Sequence, residues 1–339
     1  MNKSRQQILV WLPSPLGDAI MCIPALKAIR KKYADARITF LASDTVRQAL
    51  TPSDCCDDWL VKNSDPDFKT KLKNFDTVIL YKNSFGSALT VFLAGINERI
   101  GYSREFRGML LTKKIYPERK GMLDFKPKPM IDYYLDLCSQ IGCDISDRTI
   151  ELSVSASDSE YIEKVFADFF SPDKPVIILV PGGAFGPSKL WQTDRFAALA
   201  DKLIDKYNAN IVVSVAPNET EIKLAKQICR KSNHKPLNLG DYKLTLGQLK
   251  ALFAKAALVI TNDTGPRHIA IALKRKLITM FGPNNPEWTQ TGYSDEIQIL
   301  PNCECAPCDK PICDMKEHHC MNSIKVDMVF TQACKLLDR

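Results

Sequence analysis

Along the chain, short unbroken apolar runs alternate with longer stretches of helical spacing. Ile8 to Leu12, Arg37 to Ala42 and Asp76 to Tyr81 predict buried strands. Ala19 to Tyr33, a stretch from Ala88, and Met130 to Ile141 repeat apolar residues three and four apart, which predicts amphipathic helices. Lys27, Arg30, Lys31 and Lys32 gather late in the first of these, where positive charge complements the helix dipole. Strands without polar alternation are covered on both faces, and strands alternating with helices predict a parallel sheet.

The same order restarts after Ser171-Pro172-Asp173-Lys174-Pro175, which reads as a linker. Ser153 to Ser159 is small and polar and suits a cap for a helix from Glu160 to Phe170. Val176 to Val180, Asn210 to Ala216, Ala257 to Ile260 and Lys276 to Phe281 read as strands. Asp194 to Tyr207, Glu219 to Lys231 and Leu246 to Ala256 read as helices, with a last one from Asp327 to Leu337. The expected organisation is an α/β domain over 1–170, a second over 171–325, and a terminal helical segment over 326–339.

Composition narrows the class. The 339 residues, 45% hydrophobic and 25% charged, suit a globular chain with two cores. No apolar run reaches 18 residues, and Ile8 to Leu12 is too short for a signal-peptide core, so a cytosolic location is expected. The net charge of +7 suits an acidic substrate, an anionic membrane surface or nucleic acid. No zinc-finger spacing, basic heptad region or aromatic RNA-binding motif is present, so nucleic acid is not expected. Arg99 to Lys128 is polar, basic and weakly periodic, and is expected to be largely loop. Its candidate roles are contact with a phosphorylated or carboxylated acceptor, contact with anionic lipid, or a solvated surface.

Three places carry candidate chemistry. Asp18 follows the first strand, at the carboxyl end of the expected sheet, where open α/β sheets bind ligands. It suits a general base or a helix N-cap. Lys189 lies in the Gly-rich loop after Val180, whose spacing is not that of a nucleoside-triphosphatase P-loop; it suits a point charge on a diphosphate or a surface lysine. Thr261 to His268 reads as strand end, tight turn and helix start. Backbone N–H groups and the positive helix end there attract phosphate, although an ordinary βα corner has the same look.

Four ordered stretches resemble a known family. They are Leu12-Pro13 with Leu16-Gly17-Asp18-Ala19-Ile20 and Pro24-Ala25-Leu26; Asn83-Ser84-Phe85 with Ser87-Ala88-Leu89; Pro181-Gly182 with Phe185-Gly186-Pro187, Lys189 and Trp191; and Asn262-Asp263-Thr264-Gly265-Pro266 with His268 and Ala270. Together with Arg99-Ile100-Gly101-Tyr102 and Tyr133-Tyr134, they resemble glycosyltransferase family 9, closest to its heptosyltransferase II branch. The resemblance implies a GT-B fold, α/β, with two Rossmann-like domains whose parallel sheets face a central cleft. It implies an inverting transfer of heptose from ADP-heptose to the lipid A-core of lipopolysaccharide, at the cytoplasmic face of the inner membrane, by a monomer that needs no catalytic cofactor.

By the same resemblance Asp18 is the general base, and Lys189, Asp263, Thr264, Gly265 and His268 hold the donor. Arg104, Arg107, Lys113 and Lys114 are candidate acceptor contacts. The last helix is expected to return to the N-terminal domain. Arg267 departs from the family, which usually has an apolar residue such as Met there; it suits added charge at the diphosphate or a side chain in solvent. Alternatives are a related transferase with another donor or acceptor, or a nucleotide-sugar-binding module without transfer activity.

Cysteine adds a separate question. Cys303, Cys305, Cys308, Cys313 and Cys320, with His318 and His319, are numerous enough for a structural zinc site, but they do not form two clean CxxC knuckles. Reduced or partly disulfide-bonded thiols are the other reading.

Overall fold

The computed structural model describes residues 5–62, 64–118, 121, 126–171 and 173–339. Arg119, Lys120 and Asp124 of the basic segment, and Pro172 of the expected linker, lie outside them.

The first unit holds six strands: β1 (Gln7–Trp11), β2 (Arg37–Ala42), β3 (Asp58–Val61), β4 (Thr77–Leu80), β5 (Glu98–Tyr102) and β6 (Lys113–Ile115). They pair in parallel in the order β3-β2-β1-β4-β5-β6. The second unit repeats that plan with β7 (Val176–Val180), β8 (Asn210–Val213), β9 (Leu237–Asn238), β10 (Leu258–Asn262), β11 (Leu277–Met280) and β12 (Glu296–Ile299), ordered β12-β11-β10-β7-β8-β9. In each sheet the first and fourth strands of the unit are neighbours and the order reverses between them. That is the doubly wound topology, and its ligand crevice lies outside the carboxyl ends of those two strands. The central strands are buried as their apolar runs require; every residue of β7 and β10 is buried.

Compact units divide the chain at Ile150, with residues 287–291 grouped with the first unit. The division precedes the expected linker by about twenty residues, because the helix Ala156–Val165, capped by Ser155, packs on the helix Leu246–Ala254 of the second unit. The terminal helix Val326–Leu337 sends Val329, Ala333 and Leu336 into the core of the second unit, against the helix Thr193–Tyr207. Those positions share one helical face, so burying it there satisfies the apolar stripe.

The segment from Arg99 is more ordered than its composition suggests. Ile100, Tyr102, Leu110 and Ile115 are buried, and β5, the turn Arg107–Leu110 and β6 run through it. Basic residues at the intervening positions mask that pattern in the sequence.

Candidate active site

In the second unit, the loops after β7, β10 and β11 converge at the switch point. Asn262 closes β10 and donates from Nδ2 to the Pro181 carbonyl at 2.9 Å, tying the end of β10 to the Gly-rich loop. Gly183 lies beside Thr264; a Cβ there would be 3.5 Å from Thr264 Oγ1. At Gly182 a Cβ would fall 2.0 Å from the Glu221 carboxylate, so a side chain there would displace the end of Glu221. Bare backbone is therefore brought up to the start of the helix Gly265–Ala272, whose positive end suits a phosphate.

Lys189 is buried, not a surface lysine. Its Nζ donates to the Asp263 carbonyl at 2.7 Å and to Asp263 Oδ2 at 3.1 Å, and sits 4.6 Å from the centre of the Phe185 ring. Burial pushes its pKa below the ordinary lysine value, with the Asp263 carboxylate opposing the shift. Asp263 is in turn held at Oδ1 by Arg267 Nη1, 3.1 Å away. Burial alone would raise the Asp263 carboxyl, but Lys189 and Arg267 carry it below the usual range.

Arg267 does not reach solvent. It is completely buried, lies over the Phe281 ring, and forms a two-point pair with Glu296 at 2.6 and 3.0 Å. Glu296 also accepts from Thr279 Oγ1 at 2.6 Å. The result is a buried chain of alternating charge, Lys189–Asp263–Arg267–Glu296, running from the Gly-rich loop to the edge strand. Glu296 and Thr279 were not singled out in the sequence. The one signal was Arg267 itself, an ionic residue in an apolar setting that needed a partner.

His268 is buried, and its Nδ1 has no hydrogen-bond partner among the described residues; nor do Asn262 Oδ1 and Asn284 Oδ1. Burial, reinforced by Arg267, depresses its pKa to about 3, so at neutral pH it offers a neutral imidazole and not a cation.

The cysteine-rich segment serves as a brace. Ser188 donates from its backbone N–H to the Pro311 carbonyl and from Oγ to the Lys310 carbonyl, while Cys308 and Asp309 donate to the Pro283 carbonyl. Gly186 has φ +151°, and a Cβ would lie 2.3 Å from the Pro311 oxygen. Cys303 and Cys305 bring their sulfurs to 3.5 Å. Among the described residues no three His, Cys, Asp or Glu side chains are grouped to hold a metal ion. Trp191 packs below, its indole N–H donating to the Ile324 carbonyl at 2.9 Å.

In the first unit the corresponding loops follow β1 and β4. Lys82 Nζ donates to Ser14 Oγ at 2.8 Å, joining the two across the switch point. Asp18 lies in the first turn of the short helix Leu16–Met21, half-buried, and does not cap it: the N-cap position is Pro15. Its charge is felt by the buried Tyr134, whose hydroxyl is raised first by burial and then by Asp18. Tyr133 stacks on Tyr102 and takes a 2.7 Å hydrogen bond from Asn83. Arg104 reaches the same hydroxyl.

Arg107 is fully buried and spends its guanidinium on the Tyr102 carbonyl, the Lys82 carbonyl and Asn83 Oδ1. It shapes the loop after β4, which changes the expectation that it meets an acceptor directly. Lys113 and Lys114 are exposed on the edge strand β6. A cavity of about 540 Å³ lies at the amino ends of β7 and β10, among Glu163, Phe170, Lys174 and Arg275, at the end of the sheet away from the glycine loop.

A family model described as glycosyltransferase family 9 (heptosyltransferase) matches residues 68–319. The lipooligosaccharide heptosyltransferase 2 of Haemophilus influenzae is 31% identical over 327 residues, covering 86% of this chain and 88% of that protein. The enzyme of the same name from Campylobacter jejuni is 24% identical over 338 residues, covering 98% of each. The structure of the Escherichia coli ADP-heptose lipopolysaccharide heptosyltransferase II superimposes with a TM-score of 0.79 at 25% identity, covering 98% of both chains.

Proposed function

This chain belongs to glycosyltransferase family 9 and is a sugar-transferring enzyme with the GT-B fold; from there we propose that it moves heptose from ADP-heptose to the inner core of lipopolysaccharide. The observation that carries the reading is the gathering of Gly182, Gly183, Lys189 and the Asp263-Thr264-Gly265 turn at the switch point of the second sheet. That assembly offers backbone N–H groups, a helix start and one buried ammonium to a diphosphate, the group that must leave as ADP. The names of the relatives support heptose as the sugar and the lipopolysaccharide core as the acceptor.

In the reaction we infer, the acceptor hydroxyl gives its proton to the Asp18 carboxylate while its oxygen forms a bond to the anomeric carbon. The bond from that carbon to the diphosphate oxygen breaks, and ADP departs with the electron pair. One displacement inverts the anomeric centre. Lys189 neutralises charge growing on the diphosphate, and Asp263 aims Lys189 through two hydrogen bonds. Thr264, Gly265 and the neutral His268 complete the donor site in this scheme. No catalytic metal is invoked, because Lys189 and the helix start supply the positive field. The protein would act as a monomer at the cytoplasmic face of the inner membrane, with Arg104, Lys113 and Lys114 nearest the acceptor.

The test is transfer from ADP-heptose to a heptose-bearing lipid A-core acceptor, wild type against Asp18→Asn. Loss of the base should lower kcat by roughly 100- to 10,000-fold with ADP-heptose binding retained. A variant that keeps most of the wild-type rate would remove Asp18 from the mechanism. Wild-type protein that binds ADP-heptose but transfers nothing would favour a different acceptor.

A further inference from the structure

The helix Phe85–Leu93 has two apolar faces and only one of them is covered. Ala88 and Val91 enter the core of the first unit beside Leu9, Leu80 and Leu110. Phe85, Phe92 and Leu93 face solvent, with Leu93 72% exposed. Phe85, Phe92 and Leu93 stand at i, i+7 and i+8, so they form one stripe along the helix. The turn Arg107–Leu110 packs against this helix and adds Met109, 78% exposed. Just before it, Glu105 and Phe106 both hold left-handed backbone, φ +49° and +59°, and Phe106 stands 93% exposed. Two adjacent non-glycine residues in that region are strained. Here the strain presents a phenyl ring to water with no packing in return. Tyr116, also exposed, follows β6. An apolar surface gathered in this way marks a contact site.

Its surroundings choose the occupant. Arg99 lies 5.3 Å over the Phe92 ring and donates to the Leu110 carbonyl at 2.7 Å, joining helix and turn. Lys113 and Lys114 are exposed on the adjoining edge strand. Apolar side chains inside a basic flank match an anionic lipid surface: rings and aliphatic groups enter the acyl boundary while cations meet phosphate head groups. We propose that Phe92, Leu93, Phe106 and Met109, flanked by Arg99, Lys113 and Lys114, form a docking surface for anionic phospholipid membrane. The inference rests on the reading above that the acceptor is lipid-anchored, and it adds the surface that holds the enzyme at that lipid.

Vesicle co-sedimentation of the full chain tests it, with phosphatidylethanolamine–phosphatidylglycerol vesicles against phosphatidylcholine vesicles. The wild type should pellet with the anionic vesicles at least tenfold more strongly than with the zwitterionic ones. Leu93→Ser/Met109→Ser should lose at least tenfold of that binding, with an unchanged melting temperature and unchanged transfer to an acyl-free core acceptor. Lys113→Gln/Lys114→Gln should bind less and lose most of its salt dependence. Wild type that stays in the supernatant, binds both vesicles equally, or is unaffected by Leu93→Ser/Met109→Ser would overturn the proposal. A lipid-independent dimer that Leu93→Ser/Met109→Ser dissolves would assign the surface to a second copy instead. Transfer activity is read separately, so failure of the docking surface and failure of the proposed reaction give different results.

Discussion

Substituting Glu296 with Gln tests the buried charge chain directly. Lys189, Asp263, Arg267 and Glu296 alternate in sign and balance to zero, and all four side chains are buried. Gln is nearly isosteric, so the perturbation is electrical. It leaves the completely buried Arg267 guanidinium with half of its counter-charge, and one of the two Arg267–Glu296 hydrogen bonds has no acceptor of equal strength. Removing one partner of such a pair costs roughly 3–5 kcal/mol, because a buried charge cannot return to water. Arginine cannot escape by losing its proton. At about 2–4 °C per kcal/mol for a domain of this size, the melting temperature should fall by roughly 6–20 °C.

The companion variant Arg267→Met fits the space with an apolar side chain. Alone it strands Glu296, which can take up a proton and so suffers less. Together, Arg267→Met/Glu296→Gln should recover most of the loss, giving a coupling energy of several kcal/mol in a double-mutant cycle. The assay is thermal or urea unfolding of all four proteins at pH 7.5. Additive effects, or a Glu296→Gln shift below about 2 °C, would falsify the picture of an interdependent buried chain.

Other expectations follow from the same geometry. Lys189→Met should weaken ADP binding roughly 10- to 100-fold by calorimetry, the worth of one charge-assisted contact, and a wild-type affinity would exclude Lys189 from the diphosphate. His268 is depressed from 6.5 to about 3, so its stabilising effect is complete above pH 6.5. As pH falls below that, the unfolded chain binds a proton that the native one refuses, and stability drops by about 2 kcal/mol at pH 5. His268→Gln should flatten the pH dependence of unfolding between 6.5 and 5, whereas Asp263 and Glu296, both depressed carboxylates, act only at lower pH. Gly186→Ala forces a side chain onto Pro311 in a backbone region that disfavours one, and should lower the melting temperature by roughly 2–12 °C. Elemental analysis of protein purified under reducing conditions should find well below one equivalent of zinc; a full equivalent would mean that the cysteine segment gathers into a closed site.

Much of this protein is determined locally. Unbroken apolar runs alternating with helical spacing specify parallel sheets covered on both faces, and that grammar repeats in each half. Glycine, proline and polar residues after Trp11, Val180 and Asn262 mark the strand ends where ligands bind. The placing of Asp18, Lys189 and Asp263 in the loops and helix starts after those strands was legible for that reason. Pairing was not, because it depends on which strands become neighbours. Arg267 and Glu296, 29 residues apart, meet only after β11 seats β12 at the sheet edge. Arg107 reads as one more cation in a basic segment until β4 and β5 surround it with carbonyls. The outer stripe of Phe85–Leu93 looks like ordinary core in the sequence. A helix with apolar residues on two faces gives no sign of which will find a partner; only the packed fold covers one and leaves the other in water.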